Sequence, residues 1–596
     1  MTGTQAGAPG PGRASPADQP AQTLVDVLRH SARRHADEMV FGFLDPDTQL
    51  ADSLTYRSLL LRATGFARLL ADRGLSGRSA LLVYPQGPEF IVAFFAANIA
   101  GVAAVPVRLP RRTEGTAALS RMAGDAEAAA VLVDLRQRDA VAGRFAAEPA
   151  LAALPLLSEP PDSARAGADQ AHWPGARVRP GDVALLQYTS GSTGDPKGVQ
   201  VTQANLIANS QTLRVALGND AETVAVSWLP MHHDMGLIGC VLQPVYVGFR
   251  NYFLSPAAVL QQPSRWLAAI SRWQATASGG PNFGYELCAR RPPPAGSAPL
   301  DLSAWRLAYT GAEPVLAATI ERFCARYRTA GFSPQAFYPC YGLAEATLMV
   351  TGGHRRDAVR TIAVDGGQIA RGRAVPCTDG PSARRLVGCG HPRPGVDLVI
   401  VDPQTGQQVS PGQVGEIWVA GPGVAAGYRN RPALNEATFG ARLAGRPGVA
   451  FLRTGDLGFV ADGELFVVGR LHDRIIIRGR NFHPEDIETT ANVACARWEA
   501  TGCAVFAAAD DAVGATQGVV VAVELPRRLD EAQHREITAL IRERVAAAHG
   551  VAVTDVVAVP RWRLPRTTSG KLRRSECNRR YRAGALAAPG RNSPTL

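Results

Sequence analysis

The sequence predicts an α/β protein with a large N-terminal domain of layered α/β sheets, which carries a β-rich subdomain, and a small mobile α+β C-terminal domain. From about residue 21 to 470, short apolar runs alternate with amphipathic stretches. Between 351 and 425, glycine and proline become frequent around alternating strands, and after about 488 the pattern is that of strands around one long helix. Short buried strands that alternate with helices are typical of layered, largely parallel sheets.

The individual elements follow in chain order. Apolar runs predict buried strands of the large domain at 80–84, 183–188, 225–230 and 275–280. The amphipathic residues 259–273 predict a helix. Alternating patterns predict strands of the β-rich subdomain at 396–401 and 415–421. In the small domain we expect a strand at 519–525, a helix at 531–549 and a strand at 553–560.

Composition sets the expected domain limits. Residues 1–21 are small, polar and proline-rich, which predicts a disordered tail, and 583–596 predict a second one. The large domain is expected at 22–469 and the small domain at 470–582. The N-terminal residues lack a charged segment followed by an apolar core, so we predict no signal or transit peptide and a cytoplasmic protein.

Several classes of protein are disfavoured. Nine cysteines without a C-x-x-C pair argue against a disulfide framework and a zinc ribbon. The apolar residues 90–107 are long enough for a membrane helix, but Asn98, Gly101 and Pro106 interrupt them. We therefore predict a buried helix followed by a core strand, and no membrane span.

The net charge of +11 raises the question of nucleic-acid binding. The arginines are spread over the whole chain without interleaved aromatic residues, so we predict no nucleic-acid partner. The densest basic run, at 561–582, is either a surface that steers an acidic partner or a solvated tail.

Only two of the 63 basic residues are lysines, Lys197 and Lys571, and both lie in Ser/Thr/Gly loops. An ammonium is a compact charge that fits between phosphate oxygens, where a planar guanidinium needs another geometry. Adjacent glycines let the backbone approach a ligand closely. Because the two lysines fall in different domains, a shared nucleotide site requires the domains to close on each other.

The strand at 183–188 leads into TSGSTGDPKGV, whose backbone N–H groups and hydroxyls suit phosphate oxygens. It is not a Walker A loop, because Gly198 follows the lysine. Seven further motifs follow in order: WLPMHHDMGLIG, PNFGYELCARR, YTGAEP, YGLAEATL, RTGDLGF, GRLHDRIIIRGRN and PRTTSGK. Together they resemble the adenylate-forming superfamily of acyl-CoA synthetases, adenylation domains and luciferases, and more closely the fatty acyl-AMP ligases, over about residues 22–582.

This resemblance implies roles for individual residues. The triphosphate loop corresponds to Thr189, Ser190, Gly191, Ser192, Thr193, Gly194 and Lys197. The walls around adenine correspond to Gly311, Ala312, Glu313, Tyr341 and Gly342. Asp456 matches the acceptor of the ribose hydroxyls, with Arg470 nearby, and Glu345 matches the Mg²⁺ ligand. Each of these carboxylates could instead be structural, Glu345 as a charge at a helix start and Asp456 as a turn residue.

The resemblance also implies the site of chemistry. Lys571 and Glu345 would act on the reacting groups together with His233, which matches the entrance for the carboxylate. The acid pocket would be lined from residue 281 onward, by His233, Asn282, Phe283, Gly284 and Tyr285. A structural histidine in the core is the alternative for His233. His472 stands at the hinge position, where the family usually has Asp or Lys, and Gln203 stands where it commonly has His.

The implied reaction uses ATP and Mg²⁺ to convert a fatty acid to acyl-AMP with release of pyrophosphate. The acyl group then passes to the phosphopantetheine thiol of an acyl carrier protein or a polyketide or peptide synthetase carrier domain. Residues 352–386 resemble the insertion that separates these ligases from CoA synthetases, although a disordered surface loop is the alternative. The other hypotheses are an acyl-CoA synthetase that uses free CoA and a catalytically silent nucleotide-binding homologue.

Overall fold

The fold is that of a computed structural model, which describes residues 21–110, 115–168, 177–190, 196–380, 383–477, 480–508, 518–526, 529–561, 563–566 and 572–586. The predicted tails lie largely outside these residues, at 1–20 and 587–596.

The strands of the described residues are numbered in chain order. They are β1 Met39–Leu44, β2 Leu50–Thr55, β3 Ser79–Val83, β4 Ala103–Val107, β5 Ala128–Val133, β6 Leu156–Leu157, β7 Val183–Ser190, β8 Pro196–Thr202, β9 Val224–Ser227, β10 Arg250–Phe253, β11 Ala277–Gly279, β12 Leu307–Thr310, β13 Phe337–Gly342, β14 Met349–Gly352, β15 Thr361–Asp365, β16 Ala383–Val387, β17 His391–Pro392, β18 Asp397–Val401, β19 Gly415–Ala420, β20 Leu452–Ala461, β21 Glu464–Arg470, β22 Ile475–Ile477, β23 Arg480–Phe482, β24 Gly502–Ala508, β25 Gly518–Leu525 and β26 Val553–Pro560.

The α-helices of the described residues are numbered in the same way. They are α1 Leu24–Arg34, α2 Tyr56–Asp72, α3 Pro88–Ile99, α4 Ala117–Asp125, α5 Arg138–Phe145, α6 Pro149–Ala152, α7 Ser163–Gly167, α8 Gln203–Leu217, α9 Asp234–Leu237, α10 Gln243–Val247, α11 Pro256–Gln261, α12 Ser264–Arg272, α13 Asn282–Arg290, α14 Ala317–Tyr327, α15 Gly366–Ala370, α16 Pro432–Phe439, α17 Pro484–Ala494, α18 Glu531–His549 and α19 Arg574–Arg582. A π-helical turn, Ile238–Leu242, joins α9 to α10.

Two sheets form the large domain. One has the order β17-β14-β13-β12-β11-β9-β10-β1-β2 and is parallel except at its edges. The other has the order β6-β5-β3-β4-β7-β8, in which only β8 is antiparallel. The largest apolar cluster draws on both sheets and on helix α3, which is buried except at Glu89, so the core lies between the sheets. The predicted class of layered α/β sheets is confirmed.

The other parts of the predicted architecture are also present. The antiparallel sheet β18-β19-β20-β21 is the β-rich subdomain, and β15 pairs with β16 beside it. The small α+β unit is built on the sheet β24-β25-β26, packed against α17, α18 and α19. Its predicted helix 531–549 and strand 553–560 match α18 and β26.

Two expectations about single segments have definite outcomes. The predicted helix at 259–273 is wrong as one element, because Pro263 separates α11 from α12. Residues 90–107 form most of the buried helix α3 and the core strand β4, as predicted. Each helix among the described residues is too short or too polar to cross a bilayer.

Candidate active site

One cleft, with a volume of about 3980 Å³, collects most of the predicted site residues that the structure describes. Its lining includes Lys197, His233, Glu345, Asp456 and His472. The loop residues Gly191, Ser192, Thr193 and Gly194 and the second lysine, Lys571, lie outside the described residues. Their roles therefore stay predictions.

The base of the triphosphate loop is a hairpin. Strands β7 and β8 are antiparallel, and Thr189 pairs with Lys197 while Ser190 pairs with Pro196. The Lys197 ammonium lies 5.2 Å from the centroid of the Tyr428 ring. Such an ammonium is attracted to the face of an aromatic ring. The hairpin therefore presents a positive charge beside the loop that was predicted to hold the phosphates.

Tyr428 connects this charge to Glu345. Its hydroxyl donates a hydrogen bond of 2.8 Å to Glu345 Oε1. Burial, and then the charge of Glu345, raise the pKa of Tyr428 far above its usual value, so the hydroxyl stays protonated and remains a donor. The sequence analysis missed Tyr428, whose only signal is an aromatic residue after the glycine-rich GPGVAAG.

Glu345 lies on a single 3₁₀ turn after β13. Its backbone carbonyl accepts from Ala425 N at 2.9 Å, which fixes the turn. Of its two carboxylate oxygens, Oε2 has no hydrogen-bond partner among the described residues. No group of three or more His, Cys, Asp or Glu that could hold a metal occurs in the described part of the chain. One carboxylate with an available oxygen fits Mg²⁺, which usually takes one or two carboxylates together with substrate phosphates and water.

A second carboxylate, Asp456, is held from two sides. Its Oδ2 accepts from the Tyr341 hydroxyl at 2.7 Å, and its Oδ1 lies 3.1 Å from Arg470 Nε. Antiparallel pairing of β20 with β21 places Asp456 directly opposite Arg470. The charge of Asp456 raises the pKa of Arg470 above its usual value, so this cation is permanent. Each carboxylate oxygen can accept a further hydrogen bond, so Asp456 can still bind two hydroxyl groups.

In the predicted adenine wall, the backbone at Gly342 lies very close to a neighbouring chain segment. A Cβ on Gly342 would lie 1.8 Å from the Leu348 carbonyl oxygen, so no side chain fits there. Ala312 has a φ of 67°, an unfavourable conformation for a residue other than glycine. Gly311, Ala312 and Glu313 line the cleft, and Glu313 Oε1 also accepts from Phe283 N at 2.6 Å. Glu313 therefore ties the adenine wall to the start of α13.

The two histidines of MHHDMG lie at a turn before α9. Their ring centroids are 4.5 Å apart, and His233 occupies the N-cap position of that helix. Burial, then the neighbouring His233 and Arg108, lower the pKa of His232 far below its usual value. His232 is therefore neutral at physiological pH, and both rings line the cleft.

The predicted acid pocket is only partly assembled as expected. Asn282 and Phe283 line the cleft, and the Phe283 ring packs edge-on to Trp228 at 5.8 Å between centroids. Gly284 lies under Trp228, where a Cβ would be 2.7 Å from the indole ring. Tyr285 is 1% exposed, and its hydroxyl donates to the Tyr309 carbonyl at 3.0 Å. It belongs to the aromatic core of the nine-stranded sheet and does not line the cleft.

Part of the cleft lining, which the sequence did not reveal, is made of small and apolar residues, and we call it the apolar branch. Ala225 and Ala277 pair directly across β9 and β11, and Asn251 pairs with Ala225 on the other side. The other lining residues of this branch are Leu213, Leu217, Gly239, Cys240, Phe249, Leu348 and Met349. The π turn frees the Cys240 carbonyl, which accepts from Asn251 Nδ2 at 2.7 Å. Such an apolar lining suits a hydrocarbon chain.

Beyond the predicted hinge, the small domain contains a largely buried ion cluster that the sequence analysis also missed. His472 is exposed in the turn after β21, and Asp473 follows it. Asp473 lies 3.0 Å from Arg574 Nη1, and Arg574 also pairs with Glu485 at 2.9 Å and Glu488 at 2.8 Å. The cluster connects the predicted hinge to Arg574, the first residue of α19.

Gln203, the second departure from the family pattern, has a structural role. Its Oε1 accepts from Leu24 N at 2.9 Å, and its Nε2 donates to Asn98 Oδ1 at 2.7 Å. It is buried, so the departure does not alter the cleft.

Residues 28–429 match the AMP-binding enzyme family, and residues 472–589 match the AMP domain of the Disco-interacting protein 2-like family. The medium-chain-fatty-acid–[acyl-carrier-protein] ligase JamA of Moorena producens is 37% identical over 95% of this chain and 96% of its own length. The corresponding ligase TtuA of Teredinibacter turnerae is 34% identical, over 95% of this chain and 94% of its own.

The crystal structure of the fatty acyl-adenylate ligase from L. pneumophila, in complex with acyl adenylate and pyrophosphate, has a TM-score of 0.74 and 34% identity. The match covers 94% of this chain and 96% of that one. The chain therefore belongs to the AMP-binding enzyme family, whose members use ATP to form adenylates. The resemblance to fatty acyl-AMP ligases and the architecture of a large N-terminal and a small C-terminal domain are confirmed.

Proposed function

We propose that this enzyme converts a fatty acid to acyl-AMP and then transfers the acyl group to the phosphopantetheine thiol of an acyl carrier protein. The observation that carries the proposal is the convergence of three features in one cleft. These are the Asp456 site, the Lys197–Tyr428–Glu345 chain and the apolar branch.

In the first half-reaction, a carboxylate oxygen of the fatty acid attacks the α-phosphorus of ATP. The bond to the β-phosphate oxygen breaks, and pyrophosphate leaves. Asp456 would accept the ribose hydroxyls, and Lys197 would neutralise the outer phosphates. Mg²⁺, when bound by Glu345, would neutralise further phosphate charge. Neutral His232 adds no charge beside the entrance for the carboxylate.

In the second half-reaction, the sulfur of the carrier thiol attacks the acyl carbonyl, the thiol loses its proton, and AMP leaves. The names of JamA and TtuA, which are ligases for acyl carrier proteins, support this acceptor. The described residues of the insertion at 352–386 support it as well, because they form β15, α15 and β16. Its Val364, Ile369 and Leu386 pack against the β-rich subdomain, which would restrain the rearrangement that a CoA synthetase needs.

We also propose that the hinge lies at His472 and that residues 470–582 move as the small domain. The turn at His472 is exposed and follows the last strand of the β-rich subdomain, which supports this limit.

The experiment is pyrophosphate release measured across a panel of carboxylic acids, followed by mass analysis of products with CoA or a holo-carrier protein. We expect pyrophosphate release with fatty acids. We expect the thioester product to be the acylated carrier protein. Efficient acyl-CoA formation would instead support the CoA synthetase hypothesis, and no release with any acid would support a silent nucleotide-binding homologue.

A further inference from the structure

A polar side chain, Asn251, stands among the small and apolar residues of the apolar branch. Pairing between neighbouring strands of the nine-stranded sheet forms one row of residues, which are Ala277, Ala225, Asn251 and Phe41. Asn251 and the two alanines line the cleft, and Asn251 is 1% exposed. An apolar side chain in this row would suit a saturated hydrocarbon, so the amide needs a physical reason.

The amide nitrogen of Asn251 has a structural partner, whereas the amide oxygen does not. Nδ2 donates to the Cys240 carbonyl at 2.7 Å. Because a carbonyl only accepts, the atom that faces it is the nitrogen, and this fixes the orientation of the amide. Oδ1 is buried and has no hydrogen-bond partner among the described residues. Support of the π turn therefore explains the donor of Asn251 and leaves its acceptor open.

A buried acceptor of this kind is rare. Nearly all buried polar side-chain atoms in proteins have a hydrogen-bond partner, because an unpaired one has lost its water without compensation. The polar groups of Cys240 and Tyr309, which also line the cleft, already contact each other, with 3.4 Å between Sγ and the hydroxyl oxygen. The donor for Asn251 Oδ1 therefore has to come from a molecule inside the cleft.

The depth of Asn251 indicates which part of a substrate it would meet. Ala277 pairs with Leu307 of β12, so the row of Asn251 lies three residues below Thr310, the last residue of β12. Three residues of a strand span about 10 Å. The predicted adenine wall begins at Gly311, directly after β12. The carboxyl end of the acid would lie near that wall, and Asn251 would face the chain well beyond it.

We propose that the substrate is a hydroxylated fatty acid and that Asn251 Oδ1 accepts a hydrogen bond from its hydroxyl, which lies along the hydrocarbon chain and not next to the carboxyl group. The inference rests on the proposed function, because the acyl chain has to occupy the apolar branch. It deepens that function by naming the class of acid. A plain chain would leave the buried oxygen unpaired, and this disfavours the acid that lacks the hydroxyl.

The test measures pyrophosphate release by the full-length wild-type enzyme with fatty acids of one chain length. The panel contains the plain acid, acids with a hydroxyl beside the carboxyl group, at mid-chain or at the far end, and the corresponding oxo acids. For a mid-chain or far-end hydroxyl, kcat/KM should exceed that of the plain acid by about tenfold, the scale of one hydrogen bond. The oxo acids have a similar size but no O–H to donate, so they should show no such preference.

A pair of alanine variants assigns the preference to one residue. Asn251→Ala removes the acceptor and should bring kcat/KM for the plain and hydroxylated acids to within about twofold of each other. The matched control is Leu213→Ala, which shortens another buried residue of the apolar branch. It should weaken both acids alike and keep their ratio, because it removes only apolar contact.

Several outcomes would overturn the inference. Equal kcat/KM for plain and hydroxylated acids at every position would mean that a trapped water completes Oδ1, and it would leave the proposed function in place. An equal preference for the oxo acids would show that Oδ1 does not accept from the substrate, and a preference that survives in Asn251→Ala would place recognition elsewhere. Absence of pyrophosphate release with every acid would overturn the proposed function and the inference together. If Asn251→Ala does not fold, the wild-type comparison of hydroxy and oxo acids still decides.

Discussion

Arg384 of the insertion forms an ion pair with Asp486 of the small domain, with 2.6 Å between Nε and Oδ1. Arg384 Nη2 also donates to the Val468 carbonyl of β21 at 2.5 Å. One side chain thus holds the insertion, the β-rich subdomain and α17 together. This contact gives the insertion a physical means of restraining the small domain.

We therefore expect Arg384→Ala to allow acyl-CoA formation that the wild-type enzyme does not support, while acyl-adenylate formation persists. The neighbouring Arg385 pairs with Glu321 of the large domain, so Arg385→Ala is the matched control and should leave the thiol preference unchanged. Acyl-CoA is measured by mass analysis, and pyrophosphate is measured by a coupled assay. If Arg384→Ala forms no more acyl-CoA than wild type, this contact does not restrain the small domain.

The same contact should respond to pH. Burial raises the pKa of Asp486 to about 6, against the opposing charge of Arg384. Because an unfolded aspartate titrates near 4, the contribution of Asp486 to stability is present below about pH 4 and is lost as pH rises through 6.

Lowering the pH from about 7.5 to 4.5 should therefore shift the melting temperature of wild type upward relative to that of Asp486→Asn. Burial lowers the pKa of His483 to about 3, an effect of opposite sign that both proteins share, so it cancels in the difference. In Arg384→Ala, the pH at which Asp486 titrates should be higher, because the opposing charge of Arg384 is gone. A difference in melting temperature between wild type and Asp486→Asn that does not change over this pH range would contradict the raised pKa of Asp486.

Arg574 should matter far more for stability than the other arginines of its helix. Its side chain is 17% exposed among three carboxylates, so Arg574→Ala leaves buried acids without a cation. Breaking such a cluster costs about 3–5 kcal/mol of unfolding free energy, whereas loss of the exposed Arg579 side chain should change stability little, because surface ion pairs contribute little. Urea unfolding of the two alanine variants tests this, and equal midpoints would show that the cluster contributes little.

The apolar branch predicts a dependence on chain length. Each buried methylene is worth about 0.8 kcal/mol, so affinity should rise at least several-fold for each added pair of carbons until the branch is full. KM values across a series of unbranched fatty acids measure this. A flat response, together with strong turnover of benzoates or amino acids, would show that the branch does not bind the acyl chain.

Lys571 is predicted to stabilise the transition state of adenylation after domain closure. Lys571→Ala should lower acyl-adenylate formation by about a hundredfold or more, as expected when one preorganised donor is lost. Lys571→Arg should rescue it poorly, because a planar guanidinium does not replace the ammonium. Arg573→Ala, two positions away, is the control. Pyrophosphate release near the wild-type rate from either Lys571 variant would end the assignment.

Local patterns predicted the fold well where one periodicity dominates. The limits of α18 and β26 agree with the sequence because each has an uninterrupted pattern between clear turn signals. The single helix expected at 259–273 is wrong, because Pro263 interrupts the helix although the amphipathic pattern continues on both sides of it.

The candidate site was predictable only in part, because its contacts join residues far apart in the chain. Asp456 and Arg470 were found through their motifs and do meet. Tyr428 reaches Glu345 across 83 positions, and Arg574 reaches Asp473 across 101, so no local pattern marks either pair. Tyr285 belongs to a motif that enters the cleft, but its face of α13 packs into the aromatic core.

The central claim is that an acyl-adenylate is formed and then committed to a carrier protein. The most direct measurement is a single-turnover reaction of enzyme with ATP and a labelled fatty acid, followed by a chase with equal concentrations of CoA and a holo-carrier protein. Mass analysis should show the label passing from acyl-AMP to the carrier, with little acyl-CoA. Acyl-CoA formed at a rate comparable to adenylation would contradict the account.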